Sequence, residues 1–304
     1  MMYRLRHETR FTYAVPVRFS RCNLRLKPIA WSGQSLLDHS LSVEPGGEIS
    51  WARADAALAN VSRLLVTEAV RELTIVSEAT VAVDRPIPMP SPADLTVAQV
   101  RDLARQSRDI DAVSPAAYLF PSPMISLDAE IADWCAPSLA DDRGILDAAI
   151  DLARRIQTEF DYITDATKTE TPPLEAFRAR HGVCQDFAQI MIAGLRAHSL
   201  PAAYVSGYIR TYPPPGEERL VGADATHAWV LVWTGPDSGW VGVDPTNGIW
   251  MASDHIVLAI GRDYSEIAPV DGIFLGHGAQ SMTVSVDVAP LLDAPLLDAS
   301  VLPN

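Results

Sequence analysis

The stretch His181-Gly-Val-Cys-Gln-Asp-Phe-Ala-Gln-Ile-Met-Ile-Ala-Gly-Leu-Arg196 decides the fold, because it places one cysteine at the start of a strongly patterned helix. Apolar residues recur at the spacing of a helix with one buried face, namely Phe187, Ile190, Met191, Gly194 and Leu195. A thiol in the first turn of a helix meets unpaired backbone N–H groups and the positive end of the helix dipole, which favour the thiolate. Cys184 is therefore predicted to be a nucleophile.

Two downstream segments predict a strand hairpin that carries a base. Residues 226–233 read Thr-His-Ala-Trp-Val-Leu-Val-Trp, residues 240–244 read Trp-Val-Gly-Val-Asp, and a turn-rich segment joins them. If Trp233 pairs with Trp240, His227 lies one diagonal step from Asp244; a register shifted by two residues puts them directly opposite. Either register leaves their Cβ atoms about 4.5–8 Å apart. The hairpin thus predicts a His–Asp pair, which supplies the base and the orienting acid that a cysteine nucleophile needs.

Each of these three residues also has a purely structural interpretation. A lone cysteine at a helix start is more often a buried core residue, His227 alone is compatible with a core histidine, and Asp244 before a proline is compatible with a turn. A metal site formed by the three is a further alternative, but zinc ordinarily needs more histidine or cysteine ligands than the spacing offers. We therefore predict no metal and no cofactor. The remaining cysteines, Cys22 and Cys135, are too few for a disulfide framework.

The motifs Gly-Val-Cys-Gln-Asp-Phe-Ala, Thr-His-Ala-Trp-Val and Val-Asp-Pro-Thr-Asn, in this order, resemble the transglutaminase-like superfamily of papain-type fold. The resemblance is greatest to its bacterial branch with an added N-terminal β domain, and residues 3–13 and 261–264 are also similar to that branch. It implies that Cys184 is the nucleophile, His227 the general acid/base and Asp244 the residue that orients it.

The expected activity is acyl transfer on amide bonds of a peptide or protein substrate through a thioester, with hydrolysis by a cysteine protease or amidase favoured. Protein-glutamine transamidation and a non-catalytic peptide-binding module of the same fold are the alternatives. Tyr162 is a candidate donor to the oxyanion, together with the Cys184 backbone N–H, and Gln185 is a candidate pocket residue. Packing under the cleft suits Tyr162 equally well, and a structural role is favoured for Gln185.

Composition narrows the possible partners and compartment. The chain has 304 residues, 48% of them hydrophobic and 20% charged, with a net charge of −14 and a pI near 4.8. This acidic balance argues against a broad nucleic-acid-binding surface. The first residues are rich in arginine, and no segment has about 20 uninterrupted apolar residues, so we expect a cytoplasmic protein without a membrane partner. The oligomeric state is not indicated.

Three regions are predicted for an α+β chain. Residues 1–95 form a β-sandwich-like N-terminal domain that ends in the proline-rich segment 85–92. Within this domain, Pro45-Gly-Gly47 is expected to join strands 41–44 and 48–53 into a hairpin. Residues 96–265 form the papain-like core, a helix that presents its cysteine against an antiparallel sheet. Residues 266–304 contain a strand that returns to the N-terminal sheet, followed by a tail.

Overall fold

The structure, a computed structural model, describes residues 1–53, 57–109, 111–211 and 225–291. Its strands are β1 Met2–Val17, β2 Phe19–Lys27, β3 Gln34–Glu44, β4 Glu48–Arg53, β5 Leu58–Val66, β6 Val70–Val83, β7 Asp161–Tyr162, β8 His181–Gly182, β9 Ala202–Ile209, β10 Ala225–Trp233, β11 Trp240–Asp244, β12 Ile249–Trp250, β13 His255–Gly261, β14 Val270–Leu275 and β15 Gln280–Leu291. The tail predicted after β15 lies outside the described residues.

The helices are α1 Val97–Gln106, α2 Ala129–Cys135, α3 Ile145–Glu159, α4 Pro173–Ala179, α5 Cys184–Ala197 and α6 Tyr264–Ile267. Helix α1 begins with a capping box, in which the Thr96 hydroxyl accepts the Gln99 N–H and the Gln99 side chain accepts the Thr96 N–H. Helix α5 packs against β9 and β10 and is flanked by α2, α3 and α4. None of the helices in the described ranges has the length and low charge needed to cross a bilayer.

A long, mostly antiparallel sheet is the centre of the molecule. Its strands run in the order β12-β11-β10-β9-β13-β5-β2-β14, with β4 added beside β5. One face of its central strands packs against the helices, through Tyr204, Val230 and Val232 among others. A second, four-stranded sheet of order β15-β1-β6-β3 packs against the long sheet through two apolar clusters. The predicted α+β class is confirmed, with an N-terminal β region and a helix-covered core.

The register of the β10–β11 hairpin agrees with the first of the two predicted registers. Trp233 pairs with Trp240, and the pairing continues to Val230 opposite Val243. The register shifted by two residues is therefore wrong. Since the hairpin ends at Asp244, His227 approaches this residue along the diagonal, as the first register requires.

The predicted hairpin around residues 45–47 is wrong, although both of its strands exist. Strand β3 pairs with β6 in the four-stranded sheet, whereas β4 pairs with β5 in the long sheet. Residues 45–47 thus carry the chain from one sheet to the other. The sequence correctly predicts that the strands are interrupted at residues 45–47. However, two alternating strands separated by a short break also fit opposite layers of a sandwich.

The last described strand, β15, pairs along its length with β1, from Leu291 opposite Met2 to Gln280 opposite Tyr13. The long sheet also links the N-terminal region to the core, because Ala59 and Leu58 of β5 pair with Ala259 and Ile260 of β13. The boundary predicted near residue 95 remains a prediction, and a continuous hydrogen-bonded sheet crosses it.

Candidate active site

Cys184 is the first residue of α5 and is only partly buried. The first backbone bond of this helix runs from the Phe187 N–H to the Val183 carbonyl, so the N–H groups of the first turn point out of the helix end. The Asp186 carboxylate accepts the Val183 N–H at 2.8 Å and the Thr167 hydroxyl at 2.6 Å. These two bonds fix the turn that presents the thiol.

His227 and Asp244 are brought together at one end of the long sheet. Nε2 of His227 lies 2.8 Å from Oδ2 of Asp244, and the two residues are 8% and 0% exposed. The Cys184 side chain is a second hydrogen-bond partner of the His227 ring. The structure therefore places the three predicted residues in contact in the order Cys184, His227, Asp244, from three different elements.

Asp244 is buried but fully hydrogen-bonded. Its Oδ1 accepts the backbone N–H groups of Thr246 at 2.9 Å and Asn247 at 3.2 Å. Its Oδ2 accepts the Asn247 side-chain amide at 2.6 Å and faces Nε2 of His255 at 3.2 Å, in addition to His227. Burial by itself raises the pKa of Asp244, but the bonds to the two histidines outweigh burial and hold its pKa far below the usual range. Asp244 is therefore a carboxylate at any ordinary pH.

The charge on Asp244 decides the protonation of His227. Burial by itself lowers the pKa of His227, but its hydrogen bonds with Asp244 and Cys184 outweigh burial and raise the pKa to about 10. These bonds favour the imidazolium form of His227 next to the thiol of Cys184. A cation in this position stabilises a thiolate.

The other two cysteines have the opposite surroundings. Cys22 and Cys135 are buried in apolar clusters. Burial raises the pKa of the Cys22 thiol, and it raises that of Cys135 to about 12. Cys184, in contrast, is partly exposed and is a hydrogen-bond partner of His227.

Two candidate residues flank the thiol without contacting the histidine pair. Tyr162 is 53% exposed, and its ring lies 6.2 Å from that of Phe187. The pKa of its hydroxyl is raised, mainly by partial burial and to a lesser extent by the charge of the nearby Cys184. Gln185 donates its side-chain amide to the Thr169 carbonyl at 2.7 Å, which ties the helix start to the loop after β7. Their predicted roles in the oxyanion site and the pocket stay predictions.

His255 is the residue at this site that the sequence analysis missed. It begins β13, which pairs with β9 and not with the β10–β11 hairpin, so neither spacing nor pairing indicates a contact with Asp244. Asn247 is a further residue of the site, because its side-chain amide donates to Asp244.

His227, Asp244 and His255 also place one nitrogen or oxygen atom each within 4.8 Å of one another, which is close enough to test for a cation. A metal ligand needs an unprotonated ring nitrogen. The backbone N–H of Ala252, however, points at Nδ1 of His255 at 3.3 Å, which places the ring proton on Nε2, the atom that faces Asp244. The three groups therefore fit a hydrogen-bonded cluster and do not fit a metal site.

Two family models match the sequence of this chain. Residues 3–82 match the bacterial transglutaminase-like N-terminal region, and residues 133–245 match the transglutaminase-like superfamily core. The second range contains Cys184, His227 and Asp244.

Mycobacteria contain relatives that match this chain over most of its length. An uncharacterised protein of Mycobacterium tuberculosis is 38% identical over 95% of this chain and 92% of its own length. A protein-glutamine gamma-glutamyltransferase of Pseudomonas aeruginosa is 42% identical over a short range, which is 23% of this chain and 10% of that protein.

One similar solved structure is that of a candidate cysteine protease from Cytophaga hutchinsonii. The two structures superimpose with a TM-score of 0.73 at 22% sequence identity, over 95% of this chain and 90% of that one. This likeness shows that the whole fold is shared. Taken with the two matching family models and the mycobacterial relative, it shows that the chain belongs to the transglutaminase-like superfamily, in the bacterial branch that carries an added N-terminal region.

Proposed function

We propose that this protein is an enzyme that transfers acyl groups from amide bonds through a thioester on Cys184. The observation that carries the proposal is the position of His227, which is held by the buried Asp244 on one side and hydrogen-bonded to the Cys184 thiol on the other. A nucleophile, a base and a group that orients the base are the parts that such chemistry needs.

The charges support a thiolate–imidazolium pair as the starting state. The thiolate of Cys184 attacks the amide carbonyl and forms the C–S bond. The His227 imidazolium then gives its proton to the nitrogen as the C–N bond breaks, so the amine leaves neutral and the acyl group stays on sulfur. The neutral imidazole next takes a proton from the second nucleophile, which attacks the thioester and releases the thiolate.

Stabilisation of the oxyanion is assigned to the start of α5. The N–H groups of the first turn point out of the helix end beside the thiol, and preformed N–H donors at the developing charge are usually the largest contribution to such catalysis. We assign the Tyr162 hydroxyl as a second donor, because Tyr162 is half exposed and close enough to Cys184 for the charge on its sulfur to affect the pKa of the hydroxyl. Gln185 anchors this wall of the pocket through Thr169.

Water is proposed as the second nucleophile, which makes the enzyme a protease or amidase acting on a peptide or protein. Cys184 is partly exposed, and a thioester open to solvent is hydrolysed unless the site excludes water. Transamidation is the second candidate, because the short but 42% identical match is to a protein-glutamine gamma-glutamyltransferase.

A competition experiment separates the two reactions. A glutamine-bearing peptide is incubated with the protein and an excess of a primary amine, and the products are resolved by mass. Free acid as the main product supports hydrolysis, whereas amine adduct as the main product would show a transglutaminase. A non-catalytic peptide-binding module would give neither product, and the Cys184→Ala variant would then match the wild type.

A further inference from the structure

His255 has no part in the reaction proposed above, yet it is built into the same cluster. It is 1% exposed, and its ring lies 6.3 Å from the ring of His227 and in edge contact with Trp229 at 5.1 Å. Trp229 is in turn held by a hydrogen bond from its indole N–H to the Met251 sulfur at 3.0 Å. The imidazole is thus buried beside Trp229 and close to His227.

The hydrogen bonds determine which nitrogen of His255 carries the proton. The Ala252 backbone N–H donates to Nδ1 at 3.3 Å, so Nδ1 is an acceptor without a proton. The proton therefore lies on Nε2, which donates to Oδ2 of Asp244 at 3.2 Å. His255 is a neutral donor with one defined tautomer.

Charged groups from three segments lie near the ring. His227 on β10 and the Asp244 carboxylate on β11 face it, and the Arg85 guanidinium donates to the carbonyls of Ala252 and His255, each at 3.0 Å. With Nδ1 occupied as an acceptor, the Nε2–H group of His255 binds the carboxylate as a neutral donor.

We propose that His255 is a positioning residue, which as an Nε2–H donor fixes Oδ2 of Asp244 against His227 and so keeps the other nitrogen of His227 directed at Cys184. The proposal rests on the acyl-transfer function assigned to this site. One imidazole, His227, moves protons; the second, His255, restricts rotation of the carboxylate that both of them share.

Alkylation of Cys184 tests this without a known substrate. The rate constant for iodoacetamide is measured from pH 5 to 10 in the wild type, in His255→Leu, which removes the donor, and in His255→Gln, which keeps an N–H at similar reach. Because a hydrogen bond to a charged group is worth about tenfold or more in an equilibrium, His255→Leu is expected to slow alkylation about tenfold at pH 6. At the alkaline end the three rates converge, and His255→Gln follows the wild type throughout.

Asp244→Asn serves as the reference variant. If Asp244→Asn slows alkylation at pH 6 while His255→Leu has the wild-type profile, the positioning role is wrong and the proposed function stands. If the wild type itself reacts slowly at pH 6 and Asp244→Asn changes nothing, the proposed function is wrong, and the positioning role that rests on it is wrong as well.

The tautomer of His255 gives an independent test, which does not depend on whether the His255→Leu variant folds. Nitrogen NMR of histidine-labelled wild-type protein, with the His255 signals assigned by their loss in His255→Gln, is expected to show the proton on Nε2. A proton on Nδ1, or on both nitrogens at neutral pH, would overturn the proposal.

Discussion

At the scale of single residues, Asp244 is the centre of the site. It is fully buried and accepts hydrogen bonds from two histidines, one side-chain amide and two backbone N–H groups. Removing one partner of a buried charge costs far more than the pair contributes, because the remaining charge is left uncompensated. Changes at Asp244 should therefore act on catalysis through charge and tautomer even where the fold is kept.

Asp244→Asn is expected to abolish most of the acyl-transfer activity, by about 10²- to 10⁴-fold, because a neutral amide favours the wrong imidazole tautomer of His227. His227→Ala should be at least as damaging, since it removes the acid/base itself. Activity is measured beside near-UV circular dichroism, and Asn23→Ala, a change on the distant β2, serves as the control. Full turnover by folded Asp244→Asn would show that another residue orients His227.

The raised pKa of His227 also predicts how stability varies with pH. Its folded-state pKa of about 10 lies above the unfolded value of about 6.5, so its contribution is complete below the unfolded value and is lost as pH rises toward 10. The difference in free energy of unfolding between the wild type and His227→Gln should shrink over that interval in urea titrations. A difference that stays constant or grows there would contradict an imidazolium in the folded state.

At the scale of elements, the site depends on close contact between strands at Gly207. This residue of β9 pairs with His227 on one side and Val257 on the other. A Cβ atom at this position would lie 2.2 Å from the Ile256 carbonyl oxygen and 2.4 Å from the Trp229 ring. The Trp229 ring can lie against β9 at this position only because the side chain is absent.

Gly207→Ala is accordingly expected to destabilise the protein by about 1–3 kcal/mol, the usual cost of overpacking, and to reduce activity by displacing Trp229. Gly46→Ala is the matched control, since a Cβ there meets nothing within 4 Å. Chemical denaturation of both variants gives the comparison. Equal stability of the two variants would mean that β9 and its neighbours shift freely.

Elements with a local sequence signal could be predicted, whereas the pairing between elements could not. The sequence predicts Cys184, His227 and Asp244 because a helical period, a strand period and a turn each have a local signal. It leaves two registers open for the hairpin, and the structure has the one in which Trp233 pairs with Trp240. The partners of β3 and β4 were not found, because alternation defines a strand but not its neighbour. His255 was missed for a related reason: it reaches Asp244 only once β9 has been placed between β10 and β13.

At the scale of the whole molecule, the N-terminal region and the helical core share one sheet. Strand β5 pairs with β13 of the core. An ion pair between Arg25 of β2 and Asp271 of β14 joins the N-terminal region to the residues that follow the core. Backbone hydrogen bonds across this boundary join the two regions more tightly than a flexible linker would. The cytoplasmic location remains a prediction.

Because of this shared sheet, thermal unfolding is expected to show a single cooperative transition, with tertiary and secondary structure lost together. The two signals are followed by near- and far-UV circular dichroism, with calorimetry as the check that the calorimetric and van't Hoff enthalpies agree. Two well-separated transitions would show instead that residues 1–95 and the core unfold as independent units.

The central claim is that Cys184 is a thiolate nucleophile paired with His227, and differential alkylation tests it most directly. Folded protein is treated briefly with iodoacetamide at pH 6, and the three cysteines are mapped by mass. Cys184 should react fast, whereas Cys22 and Cys135 stay unmodified because burial raises the pKa of both thiols. The His227→Ala variant should lose the fast reaction at Cys184. Equal labelling of all three thiols, or Cys184 labelling that His227→Ala leaves unchanged, would contradict the account.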